Sequence, residues 1–356
     1  LKTIEQRLDL RDNALNLIRL LLAVLVIVAH SFPISGLGNG LEIGGMSLGL
    51  LAVGGFFTIS GYLITLSRYR TAFGTFAWRR FLRIMPAFWV CLIFTGFGAA
   101  AIAGAVRGGW SVSSAAHYVL ANAPMMYGGV DHIGDTLVGA PFPGAWNGSL
   151  WTLRYEVLCY ALVGIALLVG VIRRKRWLHV VAFVAATALA VVVREQGIEG
   201  PLQEFSSLLP FFLAGMVLLA YNRRIPLTGP WAAAAVVAFT AACATGYGAS
   251  LTPLPLAYAL LWAGVALPPA LRKLGSRNDF SYGMYLYAFP IQQVLVVAGA
   301  HRLGIVAYIL LSIASTIPLA VASWFAVEKP AQRLKNWRPF TRTTSAPRNL
   351  VGSSRQ

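Results

Sequence analysis

Residues 16–32 read NLIRLLLAVLVIVAHSF, an apolar run that carries Arg19 and His30 inside it. The apolar stretch extends from Ala14 to Ile34, long enough to cross a hydrocarbon core of about 30 Å. It is too long for the core of a signal peptide, and no small-x-small cleavage site follows it, so it reads as a retained helix. Nine further runs follow, at about 45–66, 82–106, 149–172, 177–194, 205–221, 231–249, 253–271, 281–300 and 304–327. The whole chain of 356 residues is 57% hydrophobic and only 12% charged, with a mean hydropathy of +0.67. A soluble domain carries about 25% charged residues. The predicted fold is therefore all-α: a polytopic transmembrane bundle of about ten spans over residues 1–335, followed by a basic, poorly ordered tail at 336–356.

The net charge of +17 does not point to nucleic acid, because the basic residues fall in short clusters between apolar runs. Alternate connections carry them. One side receives Lys2, Arg7, Arg11, the five arginines of 68–83, the Arg173 to Arg176 run, Arg223, Arg224, Arg272, Lys273, Arg277 and the tail. The other side has only Arg107, Arg194 and Arg302. Positive charge stays on the cytoplasmic side, which puts both termini there. Cys91, Cys159 and Cys243 lie in apolar runs and read as small buried hydrophobes. The longest connection, 107–148, lies outside and reads as a lid or an acceptor-binding loop. Asp131, His132 and Asp135 within it fit no metal-ligand spacing.

Charged side chains inside a membrane are costly and face protein or water. Arg19 and His30 are eleven positions apart, almost a whole number of helical turns, so they share a face about 16 Å apart along the axis. Each alone reads equally well as an interfacial residue. Together they mark a polar channel that holds a long ligand, with its anionic head near Arg19 and its reactive end near His30. Histidine suits acid–base work because it titrates near neutrality. In WRRFLRIMPAFW, Arg80 and Arg83 share a face of what reads as the first turn of the third helix, where backbone amides also favour anions. Glu156, in SLWTLRYEVLCY, sits at a depth similar to that of His30 and is the candidate to orient its imidazole. Ser60 in GGFFTISGYLI, Trp151, Tyr282 and Gln292 complete the candidate channel lining. Gly54, Gly55 and Gly61 read as close helix contacts.

These stretches, in this order, resemble the acyltransferase family three of membrane proteins. Arg19, ten residues and His30 match its first-helix motif, and FFTISGYLI is similar to its FF-x-ISGYL. Arg80, Arg83 and Pro86 match its Arg-x-x-Arg-x-x-Pro. SLWTLRYE is similar to its Ser-Leu-Trp-Ser-Leu-x-x-Glu, with Thr152 in place of the second serine. SYGMYLY and VEKP match late motifs, so the resemblance runs from about Asn13 to Lys335. It implies a stand-alone multi-pass enzyme of the bacterial inner membrane that transfers an acyl group, most commonly acetyl, from cytoplasmic acyl-CoA to a hydroxyl of an extracytoplasmic carbohydrate such as surface polysaccharide or lipopolysaccharide. Its expected partners are acyl-CoA, a carbohydrate acceptor and membrane lipids, with no tightly bound cofactor, metal or nucleic acid. In that scheme Arg19, Arg80 and Arg83 bind the donor, while His30 with Glu156 does the chemistry, directly or through an acyl-histidine. A secondary transporter is the competing class, although no related halves are visible in the sequence.

Overall fold

A computed structural model describes residues 1–337 except 127, 276 and 277. The tail expected from 336 therefore lies, past Trp337, outside the described residues, as does Arg277. Among the described residues, ten helices have 14 or more residues, one in each apolar run. They are α1 (Leu15–Ile34), α2 (Leu48–Arg70), α3 (Phe73–Ile93), α4 (Leu150–Ala166), α5 (Trp177–Glu195), α6 (Pro201–Ala220), α7 (Gly229–Ala244), α8 (Pro253–Ala266), α9 (Ser281–Val297) and α10 (Ile305–Ser323). Through π-helical turns, α3 continues to Arg107 and α10 toward Asn336. Six helices are long and apolar enough to cross a membrane: α1, α2, extended α3, α5, α6 and extended α10. The apolar α7 and α8 are shorter, and α4 and α9 have 17 residues each.

One boundary departs from expectation. Helix α3 begins at Phe73, nine residues before the predicted 82, because α2 runs on to Arg70 and only a two-residue turn separates them. Arg80 and Arg83 therefore lie beyond the first turn, whose free amides are out of their reach. Whatever anion affinity they have comes from the guanidinium groups.

Helix α2 packs most extensively on α6, and α9 on α1 and α10. The glycines explain the first contact. A Cβ on Gly61 would stand 1.9 Å from the Phe212 carbonyl oxygen, and one on Gly215 would stand 2.1 Å from that of Thr58. Backbones approach this closely only where side chains are absent. Helix α9 is buried along nearly its whole length, which accounts for its polar sequence SYGMYLYAFPIQQ. Away from water, each polar group needs a partner inside the protein. Tyr285 donates to the Ser149 carbonyl (2.8 Å) and Gln293 to that of Ala145 (2.7 Å). Pro290 has no N–H for the Leu286 carbonyl, and Asn147 supplies a donor to that carbonyl instead (3.0 Å).

A small hairpin, Glu42–Ile43 paired with Met46–Ser47, links α1 to α2. Its two turn residues, Gly44 and Gly45, have φ of 55° and 75°, as a tight two-residue hairpin turn requires. Between α3 and α4, the long connection is built rather than loose. It contains a helix at Val112–Asn122 and a fully buried Trp146 whose indole donates to Thr136 (2.9 Å).

Candidate active site

Polar groups collect in three cavities that share lining residues from one end of α1 to the other. At the Arg19 end is a cavity of about 340 Å³ lined by Asn16, Arg19, Arg79, Arg80, Arg83, Asp279 and Lys335, among others. Asp279, just before α9, organises it. Its Oδ2 meets Arg83 at 2.5 Å and Arg19 at 3.3 Å, while its Oδ1 accepts from the Ser281 amide and hydroxyl. Burial opposes the Asp279 carboxylate, but Arg83 and Arg19 outweigh it and hold the group below the usual carboxylate range. The π turn Trp324–Glu328 places buried Glu328 against Arg83 from the opposite side, at 3.4 Å. Arg79 and Arg80 have no carboxylate partner among the described residues, and the buried Nε atoms of Arg19, Arg79 and Arg80 have no hydrogen-bond partner there. Five cations thus surround two carboxylates, a composition suited to a polyanion.

Arg19 also lines a narrow cavity of about 30 Å³ in the middle of the bundle, with Phe56, Thr152, Glu156, Tyr282 and Tyr285. The Arg19 guanidinium lies 5.8 Å from the centre of the Phe56 ring. Glu156 accepts hydrogen bonds from Ser60 (3.0 Å) and from Tyr160. Thr152 and Tyr285 then continue into a third cavity of about 530 Å³ that contains His30, Ser149, Trp151, Arg194, Ser206 and Gln203. Here the His30 ring stands edge-on to Phe289, 5.1 Å between centroids. Its Nδ1 is buried with no hydrogen-bond partner among the described residues. The three cavities together trace the line between Arg19 and His30 that the spacing in α1 implies.

The structure brings most of the predicted residues to this line, but not in every predicted arrangement. Arg19, Arg80 and Arg83 share the first cavity, Tyr282 and Glu156 the second, His30 and Trp151 the third. The predicted Glu156–His30 hydrogen bond does not form. Glu156 lies one helical turn past Thr152, in the narrow cavity, where Ser60 and Tyr160 both donate to its Oε1. Ser60 works as that carboxylate's partner and does not itself line the three cavities. Gln292 is also displaced from its expected place. It is fully buried and donates to the Ile27 carbonyl and the Ser31 hydroxyl (2.9 Å each), bracing α1 beside His30. The Tyr282 hydroxyl is spent on the Ile84 carbonyl (2.9 Å).

Asp279, Glu328, Arg79, Thr152 and Tyr285 went unassigned in the sequence reading. Acids in DFSYG and VEKP, next to apolar helices, were signals available for the first two. Thr152 and Tyr285 lie within the SLWTLRYE and SYGMYLY motifs, but a hydroxyl residue in a helix does not by itself announce a site.

Comparison with known proteins points the same way. A family model described as "Acyltransferase domain" matches residues 12–325. An "O-acetyl transferase" of Shigella phage Sf6 is 29% identical over 332 residues, covering 90% of this chain and 96% of its own. A "Nodulation protein 10" of Rhizobium leguminosarum bv. viciae is 28% identical over 359 aligned positions, covering 91% of this chain and 94% of its own. No solved structure matches.

Proposed function

The chain belongs to the acyltransferase family whose domain it matches, and from that premise we propose that it is an O-acetyltransferase carrying acetyl groups across the bacterial inner membrane. In this reading all ten helices embed in the bilayer and both termini face the cytoplasm, following the positive charge of the connections. The donor is cytoplasmic acetyl-CoA and the acceptor an extracytoplasmic carbohydrate hydroxyl. The name of the phage relative supports acetyl and oxygen as donor group and target atom.

One observation carries the proposal: the basic cavity, the narrow cavity and the His30 cavity adjoin one another, sharing Arg19, Thr152 and Tyr285 as lining residues. Arg79 and Arg80, with Arg19 and Arg83 held in place by Asp279, take the phosphates. The thin arm of the donor passes Phe56 and Tyr285, and the thioester reaches the wider cavity. There His30, free of a carboxylate partner, accepts the acceptor's hydroxyl proton as general base. The oxygen attacks the thioester carbonyl, the carbon–sulfur bond breaks, and the imidazolium returns the proton to the leaving thiolate. Glu156, with Ser60 and Tyr160, shapes the passage between donor head and reactive end and acts on His30 only through it. The test compares His30→Ala with the wild type in membranes at matched protein level, following labelled acetyl from acetyl-CoA to glycan. Transfer that survives the substitution overturns the assignment.

A further inference from the structure

Beside the His30 cavity lies a separate cavity of about 390 Å³, formed by the connection between α3 and α4. The two share Gly148 and Trp151 as wall residues, so a ligand in one lies beside the other. We infer that this second cavity is a subsite for the sugar residues that neighbour the acetylated one in a polysaccharide acceptor. The inference rests on the carbohydrate reading above and deepens it.

The chemistry of the lining supports this. Asp131, Asn122, Arg154 and Glu204 supply hydrogen-bonding groups around an indole, and few precisely placed polar groups beside an aromatic ring suit a polyhydroxylated ligand. The indole is held in place. Trp151 meets Tyr155 edge-on at 6.1 Å between centroids, and the Tyr155 hydroxyl donates to Glu204 at 2.7 Å. The Asp131 carboxylate makes no hydrogen bond or ion pair among the described residues, and its main-chain carbonyl alone is engaged, by the Trp146 amide (2.9 Å). It is thus available to accept from ligand hydroxyls. Two carboxylates against one arginine make the cavity unsuited to a polyphosphate, in contrast to the arginine-rich cavity at the far end. The Asn122 amide ties the wall together by donating to the Tyr118 and Val130 carbonyls (2.9 and 2.7 Å).

Two substitutions test the subsite without touching the donor route. Asp131→Leu removes the available carboxylate, and Val130→Trp fills the cavity from its wall. The probes are oligosaccharide and monosaccharide fragments released from the surface polysaccharide of a strain lacking this protein, with labelled acetyl-CoA as donor. The expected result is a rise of about tenfold in the half-saturating concentration of oligosaccharide, from loss of a hydrogen bond to a charged group. Transfer to monosaccharide and half-saturation by acetyl-CoA stay at wild-type values. Unchanged oligosaccharide saturation in both variants, or an equal loss for both acceptors, overturns the subsite while leaving the carbohydrate reading intact. A wild type that acetylates neither fragment overturns the carbohydrate reading and the subsite with it.

Discussion

The two ends of the channel are built on opposite principles. At the Arg19 end, charge is dense and partly compensated: Arg83 bridges Asp279 and Glu328, and Asp279 reaches Arg19 as well. At the other end His30 has no ionic partner among the described residues, lies edge-on to Phe289 and borders a larger cavity whose walls mix apolar side chains with hydroxyl and amide groups, Glu42 and Arg194. A polyanion must be held by fixed cations, and a like-charged cluster in a membrane stays folded only if internal carboxylates hold it. A general base must instead keep a ring nitrogen open to exchange a proton with the substrate. In the proposed reaction this difference separates holding from reacting, so each end should be open to disturbance without the other.

The largest expected effect belongs to the histidine end. His30→Ala should lower acetyl transfer by about 10²- to 10⁴-fold, the range of general acid–base catalysis, while binding of acetyl-CoA to purified protein stays near wild type. Loss of binding along with transfer would erase the division of labour. Next, Arg83→Ala leaves Asp279 and buried Glu328 facing each other without their shared cation. Breaking such a pair costs about 3–5 kcal/mol, read as a lower unfolding temperature in detergent, and Arg83→Gln should show the same loss. A variant as stable as the wild type would mean that the ion pairs do not hold this end together.

Arg80→Ala should act on binding and hardly on stability, because Arg80 lines the cavity with no carboxylate partner among the described residues. Half-saturation by acetyl-CoA should rise about tenfold, a loss of roughly 1.4 kcal/mol, with unfolding temperature unchanged. The smallest effect is one of pH. Asp279 is depressed below its ordinary value, so its stabilising contribution is complete above that ordinary value and disappears only as pH falls through the lower folded one. The difference in unfolding temperature between wild type and Asp279→Asn should therefore stay constant from about pH 7 to about pH 5. A difference that shrinks across that interval would show that the arginines do not hold the carboxylate ionised.

Much of the channel was legible in one helix. Arg19 and His30 share a face because helical periodicity is local, and the ten apolar runs each contain a helix for the same reason. What escaped the sequence is non-local. Arg19 and Asp279 are 260 residues apart, and Arg83 and Glu328 are 245 apart, so nothing near either residue announces its partner. Glu156 was assigned to His30 by depth alone, whereas the packing of α2 against α4 gave it Ser60. Gln292 is fully buried, but its side chain braces α1 instead of lining the channel.

By itself, then, the sequence determined the apolar helices, the polar stripe of α1 and the small residues that let helices touch, since all of these follow from composition and a 3.6-residue period. Only the tertiary structure decided which stripes face one another. The close seating of Gly61 and Gly215 fixes how α2 meets α6. It is the packing of whole helices, not spacing within one, that pairs Asp279 with two arginines and leaves the His30 Nδ1 without a hydrogen-bond partner among the described residues, in the last of three cavities that share lining residues.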